Sequence, residues 1–572
     1  MPDNVVSASA KGASILILLQ IGSRAVTFAL NQLLLRFLSP ELLGMSVQLE
    51  LFKIGVQYFS RESLRVAAVR RSDGGAQAAI NLSYLAIMAN IPLGFTFAHW
   101  YLSSMDTYTA VPYFAEALRV NQLAAFVELL MEPAYTAVQQ NMLYKARAAA
   151  EGSSVILKTL TVFGLFYWAN KQGINIGVLP FAAGELVNSF TLTAVYWAWT
   201  IPVARANNFS LFLSKMKSSP QIEYLFSLFS KPLLWLMGSL FFQTGIKWLL
   251  TEGDKLLIAT LASLEDQGMY ALSANYGGLI ARMLFQPIET SARNLFAELC
   301  GAPPEESEEQ NGDVSKTAAK STATENVKAA SQILVTLLRV YAVVSLLAFT
   351  VGPTLAPLLL RLVAGSRWSD SGAGEVLGTY CYYIPFLAIN GVSEAFVAAT
   401  ASTKDLRNQS FWMGGNFVVF ASSAWLSLRV WKLGAKGLVL ANCVNMGLRI
   451  AFNLSFIRKF FKERGMVSNA LLQGGVEADM DTQEFDVTQI LPSMYAVAAA
   501  AVVPSILSRT EDVLPVLQRY GIMGELARIA GIGGTLAAVI HRAKVPEGLL
   551  DQVQILDLLN RVFMTLTSAF ML

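Results

Sequence analysis

The chain is poor in the residues that soluble chemistry relies on. Its 572 residues include only two histidines, His99 and His541, and three cysteines, Cys300, Cys381 and Cys443. A histidine-based metal or catalytic centre has almost no raw material. The cysteines have no CxxC spacing and fall in or beside apolar runs, which reads as buried thiols rather than metal ligands or a disulfide framework. Charge is scarce as well, at 15% of residues, against about 25% in soluble domains. The net charge of +3 gives no argument for a nucleic-acid partner. No GxxxxGK[ST] segment occurs, which excludes a P-loop motor in this chain. The acidic group Glu252, Asp254, Glu265 and Asp266, with TEGDK at Thr251 to Lys255, lacks metal-ligand spacing. No catalytic residue, cofactor or metal is expected, and an enzyme is the disfavoured class.

Hydrophobic residues make up 54% of the chain and lie in runs along nearly its whole length. A spanning helix takes about 20 such residues, so the pattern predicts an all-α polytopic membrane protein with about fourteen transmembrane helices. The polar stretch before the first run has no signal-peptide layout, so that run reads as an uncleaved anchor. The order expected is a six-helix lobe over 1–200, a cytosolic connector over 201–231 and a second six-helix lobe over 232–464. Within the second lobe, 301–326 is rich in Pro, Glu, Ser and Thr and reads as a disordered cytosolic loop. An acidic linker over 465–490 and two extra helices with a tail over 491–572 complete the chain.

Lysine and arginine gather in alternate connections. They occur as Arg61, Arg65, Arg70 and Arg71, then Lys145 and Arg147, then Arg205, Lys215, Lys217 and Lys231, then Arg458, Lys459, Lys462 and Arg464. The positive-inside rule places these loops, and with them both termini, in the cytosol. The acceptor patterns at Asn81, Asn208, Asn408 and Asn453 then lie in helices or on the cytosolic side and should carry no glycan.

The charges that remain inside the apolar runs are periodic. Gln20, Arg24, Thr27 and Asn31 share a helical face, as do Ser46, Glu50, Lys53, Gln57 and Arg61, and Gln243, Lys247, Thr251 and Asp254. From Asp266 to Glu298, Asn275, Arg282, Gln286, Glu289 and Arg293 recur at offsets of seven, four, three and four, which predicts one charged stripe on one helix. A charge at membrane depth is costly, so these faces must meet water, a counter-charge or a polar ligand. Glu128, Glu132, Lys158 and Glu185 read best as ion pairs that tie neighbouring helices together. Arg24, Lys53, Lys247, Arg282 and Arg449 read as a cationic site, with Glu289 and Glu394 as acidic partners; Arg36 and Arg61 sit at helix ends, where they either join that site or serve by snorkelling or simple orientation. Arginine-rich polar faces suit a diphosphate, because guanidinium offers paired donors matched to phosphate oxygens. Two six-helix lobes with such faces imply a central cationic cavity reached alternately from either side.

Several segments carry a family resemblance: TEGDK, DQGMYALSANYGGLIARMLFQPIE (Asp266 to Glu289), FLAINGVSEAF (Phe386 to Phe396), LANCVNMGLRI (Leu440 to Ile450), LLLRFLSPELLG (Leu33 to Gly44) and FSRESLRVAAVR (Phe59 to Arg70). They resemble the Rft-type proteins of the endoplasmic reticulum, over most of helices 1 to 12. The resemblance implies a fold like the multidrug/oligosaccharidyl-lipid/polysaccharide exporters. It also implies a role in moving the dolichol-diphosphate-linked mannose and N-acetylglucosamine heptasaccharide to the lumenal leaflet for N-glycosylation. The partners expected are that glycolipid, membrane lipid and enzymes of the N-glycosylation pathway. The rival readings are a non-transporting protein that binds or supports supply of the glycolipid, and a cation-coupled drug exporter, which would carry a mainly acidic cavity.

Overall fold

The computed structural model describes residues 29–70, 75–104, 112–141, 143–216, 223–300, 313–365, 368 and 370–472, with short stretches of 497–534. Most of the expected first helix, including Arg24, lies outside the described residues. So do the linker beyond 472, much of the two C-terminal helices and the tail. The described chain is all-α apart from one small hairpin, and it packs as two compact units, 1–271 with 363–371 and 272–362 with 372–572.

In the first unit a short helical stretch over 29–35 precedes α1 (Pro40–Arg70), α2 (Gly75–Ser104), α3 (Phe114–Leu129), α4 (Glu132–Gln140), α5 (Tyr144–Gln172) and α6 (Leu179–Ala206). The hairpin β1 (Tyr224–Leu225) and β2 (Phe229–Ser230) leads into α7 (Lys231–Leu261) and α8 (Leu264–Ile280). Helix α1 packs on α2 and α7, and α6 packs on α3 and α5. Around α1, Met45, Leu49, Phe52 and Val56 repeat at helical spacing and close a core with Tyr101, Phe114 and Leu118. Helices α1 and α8 approach backbone to backbone. A Cβ on Gly268 would lie 1.8 Å from the Pro40 carbonyl oxygen, and one on Gly44 would lie 2.0 Å from that of Leu264. Small residues at such crossings let membrane helices touch. Beside the crossing, Gln48 donates to the Ala259 carbonyl and to Gln267, whose own amide donates to the carbonyls of Ala259 and Ala262 at the end of α7.

In the second unit a π segment (Ala281–Phe285) joins α8 to α9 (Gln286–Cys300). There follow α10 (Asp313–Ala364), α11 (Ala373–Tyr380), α12 (Ile384–Thr400), α13 (Thr403–Trp425), a second π segment (Leu426–Val430) and α14 (Gly434–Leu472). Helix α12 packs on α9 and α14. Phe296, Phe396, Phe460 and Phe461 interlock there at ring separations of 5.1 to 5.5 Å. Described parts of the C-terminal region, Ala500, Val503, Leu507 and Ile529, bury against Val351 of α10. Helix α13 starts on a capping box in which Ser402 and Asp405 satisfy each other's backbone N–H groups.

One expectation is corrected. The loop read as disordered over 301–326 is helical from Asp313, where VSKTAAKSTATENVKAA is rich in strong helix formers; 301–312 lie outside the described residues. The run over Phe114–Gln140 is two helices, because Pro133 has no N–H for the Leu129 carbonyl and its ring clashes with it. The apolar run over Ala373–Thr400 passes through a turn at Cys381–Tyr383 ahead of Pro385, where the same proline effect interrupts the helical bonding. Among the described residues, five helical stretches are long and apolar enough to cross a membrane: Gly75–Ser103, Lys145–Gln172, Glu325–Ala364, Ala373–Thr400 (α11 and α12 together) and Gly434–Glu463. The protein is a multi-pass membrane protein.

Candidate functional site

The first unit gathers several charges of its helices into one buried network. In the first unit, α1 presents Lys53, Arg61 and Arg65 at offsets of eight and four, hence on one side. Across from them stand Glu128 at the end of α3, Glu132 at the start of α4, Lys158 on α5 and Glu185 and Ser189 on α6. The Pro133 break makes this possible, because it places the two carboxylates on either side of an irregular turn. Side chains of α6 cover the backbone beside the break. Thr193 donates to the Val127 carbonyl at 2.8 Å and the Trp197 indole donates to that of Leu130 at 2.9 Å. Irregular backbone at membrane depth is tolerated only where protein covers it in this way.

The ammonium of Lys53, a residue 5% exposed, lies 2.8 Å from Glu128 and 2.6 Å from Glu185. Arg61 reaches Glu128 at 3.0 Å and Glu132 at 3.4 Å. Arg65 grips Glu132 with both Nη2 and Nε, at 2.5 and 3.0 Å, and its guanidinium lies 3.9 Å above the Tyr135 ring. Lys158 pairs with Glu185 from the half-exposed edge. Four cations thus share three carboxylates, which leaves one positive charge in excess. The pairing expected for Glu128, Glu132, Lys158 and Glu185 is present. It also engages Lys53 and Arg61, which the stripe pattern had marked as ligand-facing cations. Arg65, set aside as a loop-orientation charge, is a full member; its offset of four from Arg61 was the available signal.

In the second unit the stripe expected over Asp266 to Glu298 is not one helical face. The π segment at 281–285 inserts a wider turn, so residues beyond it rotate away from the phase set by α8. Within the π segment, Arg282 is exposed, and its Nη2 donates to both the backbone and side-chain oxygens of Asn275 at 3.0 Å. No carboxylate holds it among the described residues. After the break, Glu289 packs against α12 so closely that a Cβ on Gly391 would lie 1.7 Å from its Oε1. Glu394, one turn along α12, accepts from Asn390 at 2.8 Å and pairs with Arg449 of α14 at 3.4 Å. Asn453 donates to Asn390 and Ser393, each at 3.3 Å. Glu289, Glu394 and Arg449 are therefore brought together, while Arg282 stands apart in the π segment.

Of the remaining candidates, Arg36 is exposed in the turn before α1. Lys247 is on α7, with its side chain outside the described residues, and Arg24 lies outside them entirely. Cys300 and Cys381 are buried free thiols and Cys443 is a half-buried one.

The model of the Rft protein family matches residues 8–542 of this chain. The Man(5)GlcNAc(2)-PP-dolichol translocation protein RFT1 of Eremothecium gossypii is 32% identical over 486 residues, covering 80% of this chain and 84% of that protein. Its counterpart of the same name in Saccharomyces cerevisiae is 32% identical over 503 residues, covering 81% and 84%. Among solved structures, an inward closed conformation of the lipid II flippase MurJ superposes with a TM-score of 0.54 at 12% identity, covering 92% of this chain and 98% of that one. At that identity the likeness speaks for the fold.

Proposed function

Because the chain belongs to the Rft protein family, we propose that it moves a dolichol-diphosphate-linked oligosaccharide of five mannoses and two N-acetylglucosamines from the cytosolic to the lumenal leaflet of the endoplasmic reticulum. The observation that carries the reading is the match over most of the chain to relatives named for that translocation. The polar faces supply the chemistry such a cargo needs. A charged, sugar-bearing head group cannot cross about 30 Å of hydrocarbon unaided. Arg282, exposed and without a carboxylate partner among the described residues, offers a guanidinium to a diphosphate. Arg449 is held by a single 3.4 Å pair and could exchange Glu394 for phosphate oxygens. Arg24, Arg36 and Lys247 extend the cationic set.

Lys53 and Arg61 act in this scheme through their ion pairs, donating to the diphosphate only if Glu128, Glu132 or Glu185 releases them. The transport cycle is alternating access, with both termini in the cytosol and lumenal consumption of the glycolipid drawing it forward; no bond is made or broken. Cells depleted of their own family member test the reading. Expression of this chain should restore N-glycosylation of a reporter. Under-glycosylation that persists with the protein present at normal abundance would overturn it.

A further inference from the structure

The segment between α6 and α7 reads in sequence as a polar connector, yet it is clasped to the first turns of a spanning helix. Gln77 of α2 accepts from the Ser210 amide at 2.8 Å, and Tyr84 donates to the Leu211 carbonyl at 3.0 Å. Between them the fully buried Asn81 donates to the carbonyls of Ser214 and Leu228, at 2.7 and 2.9 Å, and accepts from the Ser214 amide at 3.2 Å. Met216 N–H donates to the Ser227 carbonyl at 2.7 Å, which joins the 210–216 loop to the hairpin. The hairpin turns through Phe226 and Ser227, both with positive φ (53° and 56°), closed by Leu228 N–H on the Leu225 carbonyl at 3.0 Å. Turns of that kind favour Asn and Gly, and a bulky residue there is uncommon.

What this rigid clasp holds out is apolar. Phe226 is 78% exposed at the hairpin tip and Phe212 is 66% exposed, with Leu213 and Leu225 exposed beside them. Lys215 is exposed among them, and Lys231 is paired with Glu223 at the hairpin base. The anchoring residues set the depth. Gln77 and Tyr84 are seven residues apart, about 10 Å along the helix axis, at the start of the span Gly75–Ser103. The clasped loop therefore runs beside the first turns of that apolar span.

We infer that the 210–216 loop and the 224–230 hairpin form a preformed interfacial wedge. Phe212, Leu213, Leu225 and Phe226 enter the acyl boundary of the bilayer, while Lys215 stays at the head groups. Apolar side chains flanked by lysine at that depth are the composition of an interfacial segment. A protein partner would need a face of its own at the membrane surface; lipid is already continuous with the helix that carries the clasp.

Full-length protein in vesicles of brominated phosphatidylcholine tests this, with an environment-sensitive fluorophore placed by Phe226→Cys, Leu213→Cys or Asn207→Cys. Unsubstituted protein supplies the background from the native thiols. Emission at 226 and 213 should be blue-shifted and lost to the brominated acyl chains, while emission at the exposed Asn207 is lost to aqueous iodide instead. The Leu213 probe carries the test alone if the Phe226 variant does not fold. Iodide quenching at 226 and 213 equal to that at 207, with no loss to brominated lipid, would overturn the inference, whether water or a protein covers the wedge.

Discussion

Glu128→Gln tests the first-unit network where it is most heavily loaded. The substitution keeps shape and removes one charge from a carboxylate that holds Lys53 at 2.8 Å and Arg61 at 3.0 Å. At an effective dielectric of about 20, each attraction is worth roughly 6 kcal/mol. Returning the carboxylate to solvent in the unfolded chain recovers several kcal/mol per ion, which leaves a net loss of about 3–5 kcal/mol. Charge balance adds a sharper expectation. Glu128→Gln raises the network's excess from one positive charge to two. Lys53→Met removes two ion pairs, at 2.8 and 2.6 Å, but leaves Arg61, Arg65 and Lys158 against three carboxylates, which is neutral. Lys53→Met should therefore destabilise less than Glu128→Gln, although it breaks as many bonds. The double variant should be milder than the sum of the two by about 0.5–3 kcal/mol. Thermal inactivation of the purified protein, followed by loss of the monodisperse peak in size exclusion, reads all three. Equal losses in the two single variants and strict additivity in the double would refute the charge-balance argument.

Arg282→Ala should abolish restoration of N-glycosylation with the thermal midpoint nearly unchanged, because the guanidinium is exposed and, among the described residues, bonds to Asn275; full complementation would remove Arg282 from the site. Gly391→Ala should displace the Glu289 carboxylate and lower the thermal midpoint, and adding Glu289→Ala should recover most of the loss; no recovery would show that the clash lies elsewhere. Gly268→Leu should prevent accumulation of folded protein, since its Cβ would meet the Pro40 carbonyl oxygen rather than a movable side chain; normal yield would contradict the α1–α8 crossing. Asn81 should carry no glycan, because its side chain is buried and committed to the loop it clasps; a deglycosylation mobility shift lost in Asn81→Gln would disprove that.

Periodic features were legible in the sequence. The polar stripe of Lys53, Gln57 and Arg61 lies on one continuous helix, so spacing alone assigned its face. The stripe from Asn275 to Arg293 misled for a local reason. A π turn leaves no mark in composition, and the residues of ARMLF are ordinary helix formers. Pro133 and Pro385 were visible, but apolar runs continue through both, and hydropathy integrates across a break that hydrogen bonding does not. The partners of Lys53 lie 75 and 132 positions away, so their identity depends on packing. The clasp on the 210–216 loop was hidden for the same reason, since Gln77 and Asn81 look like the ordinary polar start of a helix.

The central claim is transbilayer movement of the glycolipid, and reconstitution measures it most directly. Purified protein in sealed vesicles carrying the authentic diphosphate-linked heptasaccharide should make lipid in the inner leaflet accessible to an outside probe faster than in protein-free vesicles, and Arg282→Ala should remove the difference. Movement no faster than in protein-free vesicles, with the protein folded and binding the glycolipid, would contradict the account and leave this chain a binding or supply protein.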